Sequence, residues 1–134
     1  MNLHRSLFLV LTLIIGGSSQ AYTPSIEIIE QFDNMRLVAF FSERDIENYP
    51  IWHPTEEAPP LSIKAAIQAV SDTNGSKLSI DAIKEIELRE ISHYKHYWHY
   101  LIKTKTKTKT KYRIYVVLMN GKVIPAVVEP ESYK

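Results

Sequence analysis

The stretch YRIYVVLMNGKVIPAVV, from Tyr112 to Val128, constrains this chain more than any other part of it. Asn120-Gly121 stands between two runs of β-branched and apolar residues. That arrangement is the strongest short signal for an antiparallel hairpin, because both residues accept the positive φ of a type I′ turn. Pro125 lacks an N–H to give to a ladder, so the return strand is expected at an edge or with a bulge. Upstream, Tyr97 to Lys105 is again rich in aromatic and β-branched residues. This segment can pair with Lys111 to Met119 if Thr106 to Thr110 form the turn. The even positions Tyr94, Trp98, Tyr100 and Ile102 then share one face, expected to be core.

The remaining elements follow from shorter signals. Ile63, Ala66, Ile67 and Val70 recur at i, i+3, i+4 and i+7, one apolar stripe of a helix. Ser62 is its expected N-cap and Asn74-Gly75 its stop. Residues 84–91 alternate in Ile86 and Leu88 and are read as a strand, although Ile80, Ile83 and Ile86 also fit a helical period. Met35 to Phe41 is an apolar run of strand length that a short helix would also fit. The resulting fold class is α+β: one main helix packed on an antiparallel β-meander of about four strands, in two layers.

The N-terminus points to a compartment. A short polar start with His4 and Arg5, an apolar run from Leu7 to Ile15, and Ser19 and Ala21 at −3 and −1 of a cut form the pattern of a cleavable signal peptide over residues 1–21. The apolar run is shorter than the ~20 residues that span a bilayer. The expected product is an exported chain, periplasmic or secreted. It comprises one domain over residues 22–134, with a weakly ordered start (22–34), a Pro-rich loop (42–60) and a polar tail (129–134). The sequence has no cysteine, which excludes a disulfide framework, a thiol nucleophile and thiolate metal ligands. Stability must come from burial, and 45% of the residues are hydrophobic.

Charge is divided along the chain. Residues 22–90 hold 13 acidic and 6 basic residues, and residues 91–134 hold 2 acidic and 9 basic, so the halves carry −7 and +7. Lys103, Lys105, Lys107, Lys109 and Lys111 alternate with threonines and are expected to form an exposed basic tip on the hairpin. Contact of that tip with an anionic membrane surface is a reading that clustered lysines allow, at ~1 kcal/mol each. For an exported protein, nucleic acid is not an expected partner.

Chemistry has little foothold. The chain lacks a Gly-x-Ser-x-Gly turn, a phosphate-cradling glycine loop and a His-Glu-x-x-His helix. His93, His96 and His99 are spaced by three, which would suit a metal on a helix face. On a strand, His96 points away from the other two, so neither a metal site nor a cofactor is expected. The adjacent Glu56 and Glu57 make no acid–base pair without a fixed geometry around a substrate. The chain is therefore expected to be non-enzymatic and to work by binding. The candidate contact residues are Tyr97 and His99 on the open face of the sheet and Trp52 and His53 in the Pro-rich loop. The alternative is a small-ligand pocket between the helix and Trp98 and Tyr100.

The segments PPLSIKAAIQAV, IKEIELREI, HYWHYLIKTK and YRIYVVLMNGKVIPAVV, over residues 59–128, together resemble small exported bacterial proteins related to the PepSY-like group. That resemblance implies a cystatin-like helix-on-sheet arrangement. It also implies a role as modulator or inhibitor of a secreted or envelope protein, and it carries over no catalytic residue. The long basic tip and the Pro-rich lead-in depart from the pattern.

Overall fold

In the computed structural model, residues 25–32, 35–73, 75, 82–105 and 112–129 are described. The order is β1 (Ser25–Phe32), β2 (Met35–Ser42), α1 (Glu43–Ile46), α2 (Ile63–Thr73), β3 (Ile83–Glu90), β4 (Trp98–Lys105), β5 (Tyr112–Leu118), β6 (Val123–Pro125) and β7 (Val127–Glu129). β3, β4, β5 and β6 pair in chain order as a four-stranded antiparallel sheet. β1, β2 and β7 form a second, three-stranded sheet.

The α+β expectation is thereby corrected. The chain is mostly β, in two antiparallel sheets, and among the described residues α2 is the one helix longer than a single turn. The expected frayed start contains β1, which pairs with β2 along its whole length from Ser25↔Ser42 to Phe32↔Met35. The two expected layers become three: the three-stranded sheet, the four-stranded sheet, and then α2 with the loop that precedes it.

A strand that changes sheets explains how the layers join. β6 pairs with β5 only from Tyr115↔Pro125 to Val117↔Val123. Pro125 cannot donate onward, and after Ala126 the chain continues as β7 against β2, from Arg36↔Glu129 to Val38↔Val127. Ala126 marks the corner, its N–H donating to the Ile114 carbonyl at 3.0 Å. β6 and β7 are thus two halves of one bent strand shared between the sheets.

The middle layer is covered on both sides. Register places His99 and Leu101 of β4 on one face with Ile114, Val116 and Leu118 of β5, toward Ile28, Leu37, Ala39 and Phe41 of the three-stranded sheet. Tyr100, Ile102, Tyr115 and Val117 point the other way, toward Ala66 and Val70 of α2 and toward Trp52. Consecutive residues 99–102 and 114–119 are consequently all buried. Strands buried on both faces read as continuous rather than alternating apolar runs, as Tyr115 to Met119 does.

Local signals set the ends of these elements. The Ser62 hydroxyl accepts from the Ala65 N–H at 3.1 Å and caps α2. In the β5–β6 connection Gly121 has φ +90°, whereas Asn120 does not enter positive φ. Gly121 N–H donates to the Leu118 carbonyl at 2.8 Å, and Leu118 N–H to the Lys122 carbonyl at 2.9 Å. The turn is therefore a three-residue loop closed by a left-handed glycine, in place of the expected type I′ turn. Asn120 instead uses its side chain: Nδ2 donates to the Asp45 carbonyl at 2.9 Å and Oδ1 accepts from Lys122 N–H at 3.0 Å. Lys122 Nζ meets Asp45 Oδ1 at 2.6 Å, tying the hairpin to α1.

Candidate functional site: an aromatic turn and a buried polar cluster

The connection from β3 to β4, residues 91–97, is a tight turn where a continuous strand through His93 and His96 is expected. Ile91 N–H donates to the Tyr97 carbonyl at 2.6 Å, Tyr94 N–H to Ile91 at 3.0 Å, and Tyr97 N–H to Tyr94 at 3.1 Å. His96 N–H donates to Glu90 Oε2 at 3.0 Å, and the His96 carbonyl accepts from Trp52 N–H at 3.0 Å. His93 and His96 both adopt φ +68°. The left-handed region costs a non-glycine residue roughly 1–2 kcal/mol, so the surrounding bonds must hold this backbone in place.

The turn carries rings, and the Pro-rich loop adds more. Tyr94 stacks on Tyr97 at 5.8 Å, and Tyr97 lies 5.2 Å from Tyr49. His53 packs on His96 at 4.3 Å, and Trp52 meets Trp98 edge-on at 5.2 Å. Trp52 is itself anchored, its indole N–H donating to the Glu57 carbonyl at 2.9 Å. Tyr49 fastens the platform to the core: its hydroxyl donates to the Trp98 carbonyl at 2.5 Å and accepts from Met119 N–H at 2.6 Å. Burial pushes the Tyr49 phenol up to about 12, against the smaller opposing effect of the Met119 hydrogen bond. His53, Tyr94, His96, Tyr97 and Trp98 remain half-buried, with Ile51, His93 and Lys95 exposed beside them. The Trp98 indole nitrogen is buried with no hydrogen-bond partner among the described residues.

The structure thus gathers Trp52, His53, Tyr97 and Trp98 into one cluster and removes two other candidates from it. His99 and Tyr100 are 0% exposed. Tyr100 faces the helix layer, where its hydroxyl donates to the Leu61 carbonyl at 2.5 Å and burial raises its pKa. His99 faces the other sheet, so the expected open face does not exist on β4. The expectation missed Tyr49 and the contact role of His96, and the only sequence signal for them is the density of aromatics near Pro50 and Pro54.

His99 belongs instead to a polar cluster between the sheets. Its Nε2 lies 3.4 Å from Glu30 Oε1, close enough for an ion pair when the imidazole is protonated but not aligned as a hydrogen bond. Its Nδ1 lies 3.4 Å from the Tyr100 carbonyl. Arg89 donates to Glu30 Oε2 at 2.8 Å and to the Gln31 carbonyl at 2.8 Å, and pairs with Glu87 at 2.6 Å. Burial alone would raise the Glu30 carboxyl. The close approach of His99, the hydrogen bond from Arg89 and the positive charge at both outweigh it and hold Glu30 below the usual carboxylate value.

Of the basic tip, Lys103 and Lys105 fall on β4, with Lys103 Nζ 4.6 Å over the Tyr112 ring. Lys107, Lys109 and Lys111 lie outside the described residues. The three histidines at 93, 96 and 99 do not share a site: His93 is exposed, His96 packs against His53 with the rings tilted, and His99 is interior. No protein-family model matches the chain, and no curated protein or solved structure is significantly similar to it.

Proposed function

We propose that the protein is an exported, non-enzymatic binding module whose contact surface is the aromatic turn. The partner is a secreted or envelope protein. The observation that carries this reading is the pair His93 and His96, both at φ +68° in a turn that presents half-buried rings. Strained backbone of this kind persists where the surroundings over-determine it, and it concentrates at ligand clamps and recognition sites. Here the determining bonds come from three directions: the turn itself, Glu90 and the Trp52 backbone.

The chemistry suits a protein partner. Tyr94 and Tyr97 offer rigid amphipathic area with little side-chain entropy to lose, and aromatic anchors of this type dominate interface energetics. Ile51 supplies an exposed apolar neighbour, and His93 and Lys95 a polar rim. Export rests on the signal-like pattern of residues 1–21.

The test is site-specific photocrosslinking in the native envelope with the photoreactive group at Lys95. The expected result is one dominant adduct that disappears when Tyr97→Ala is added. Labelling no different from that of the same group at Lys64 on α2 overturns the reading.

A further inference from the structure

The strand that changes sheets leaves an opening in the wall. β6 accompanies β5 only as far as Tyr115, and beyond that point the chain turns away through Ala126. Beside the uncovered part of β5 lies a cleft of about 340 Å³ whose lining includes Tyr112, Arg113, Ile114, Pro125, Ala126 and Val128. That volume lies at the lower end of the ~300–1,000 Å³ typical of small-molecule sites. The aromatic turn is at the far end of β4 and β5, roughly 20 Å away at about 3.3 Å per residue. The two features are separate.

The cleft has an apolar wall and a cationic rim. Ile114, Pro125, Ala126 and Val128 supply the wall, and Val128 is 38% exposed. Arg113 is exposed and forms no ion pair with any described residue. The same end of the sheet carries further positive charge. Lys84 and Lys105 stand there on neighbouring strands, and the nearness of Lys105 holds the Lys84 ammonium below the usual lysine value. Lys103 stands over Tyr112, with Glu85 its partner in register on β3. Among the described residues, Arg113 is the one charged residue in the lining of the cleft, and a cation beside an apolar wall favours a ligand with an apolar body and one negative charge.

We propose that the strand-switch cleft binds a small, free amphipathic carboxylate, its apolar body on Ile114, Pro125, Ala126 and Val128 and its carboxylate on Arg113. The guanidinium matches a carboxylate with two parallel N–H donors, which a lysine cannot do. The small volume selects a short acyl or single-ring body over a long lipid chain.

Octanoate is the probe, titrated into the isotope-labelled protein and followed by NMR and calorimetry. Shifts are expected at Ile114, Ala126 and Val128. Affinity should fall about tenfold for 1-octanol, and about tenfold again for octanoate on Arg113→Leu, since one charge-assisted bond at an exposed rim is lost. Val128→Trp should fill the cleft and abolish the shifts. If that variant loses its dispersed spectrum, Arg113→Leu decides alone. Three results overturn the proposal. One is shifts confined to the exposed Ile29, Phe40 and Val127 side of the other sheet. The second is equal affinity for octanoate and 1-octanol. The third is binding to phosphatidylglycerol vesicles with none to free octanoate, which would assign the rim to a lipid surface.

Discussion

Arg89 and Glu30 stand on edge strands of different sheets, 59 residues apart in sequence, and meet at 2.8 Å. The strand shared through Ala126 joins the sheets along one side, and this pair joins them along the other. Arg89 also donates to the Gln31 carbonyl, so it engages both the side chain and the backbone of β1. The side chains of Arg89 and Glu30 keep 26% and 16% of their exposure, which places the contact between a surface pair and a fully buried one.

Breaking that contact from one side should destabilise the protein. Arg89→Met leaves Glu30 facing only His99, and Glu30→Gln leaves Arg89 with Glu87 and the Gln31 carbonyl. Either change is expected to cost about 1–3 kcal/mol, because a partly buried charged group loses a hydrogen-bonded partner. The double variant should cost less than the sum of the two. Urea denaturation of the four proteins measures the coupling, and additive losses would show that the residues act independently.

Acid should loosen the same junction. The Glu30 carboxyl is held below 4.5 in the folded chain, and that of Asp45 below 3.8, where hydrogen bonds from Lys122 and Ser42 outweigh desolvation. The unfolded chain takes up protons first as pH falls, so stability rises with pH across this range. The contribution is present above about pH 4.5 and is lost as pH falls through the folded-state values. The urea midpoint should drop between about pH 5 and pH 3. Glu30→Gln should flatten that drop, and an unchanged pH dependence in the variant would remove Glu30 from the explanation.

At the alkaline end the sign reverses. Tyr49 is raised from 10.0 to about 12, so the fold favours the neutral phenol. Its stabilisation is complete below about pH 10 and declines as pH rises toward 12. Tyr49→Phe removes the hydroxyl between the Trp98 carbonyl and Met119 N–H and should cost about 1–3 kcal/mol at neutral pH. Titrating tyrosinate absorbance in the native protein and the variant identifies the late-ionising phenol.

What the sequence discloses and what it hides divide by range. The limits of α2, β4 and β5 could be read from the chain, because the Ser62 cap, the 3.6 period through Ile63, Ala66 and Val70, and the β-branched runs act within a few residues. Strand parity also sets His99 opposite Trp98 and Tyr100. Whether that second face meets solvent depends on β1, seventy residues earlier, where Ile29 on the outer side masks the alternation of Ile26, Ile28 and Glu30. β7 has three residues and pairs with a strand about ninety residues away, so no local pattern marks the change of sheet. In the candidate site, Trp98 was legible as a core-facing ring and Trp52 as a contact residue of the Pro-rich loop. The left-handed turn was not, since no glycine marks residues 91–97.

That last mismatch yields the sharpest separation of stability from function. The His93 side chain is exposed, yet its backbone holds φ +68°. Glycine adopts this conformation without steric cost, although it loses more freedom on folding. His93→Gly should therefore be neutral or stabilising by up to about 1 kcal/mol. His96→Gly gains the same backbone relief but loses the ring packed on His53, so its net effect should be a loss. If the turn serves recognition, His93→Gly keeps or raises the thermal midpoint while weakening the Lys95 crosslink. A variant that melts earlier and crosslinks normally would mean that His93 supports the fold and has no part in recognition.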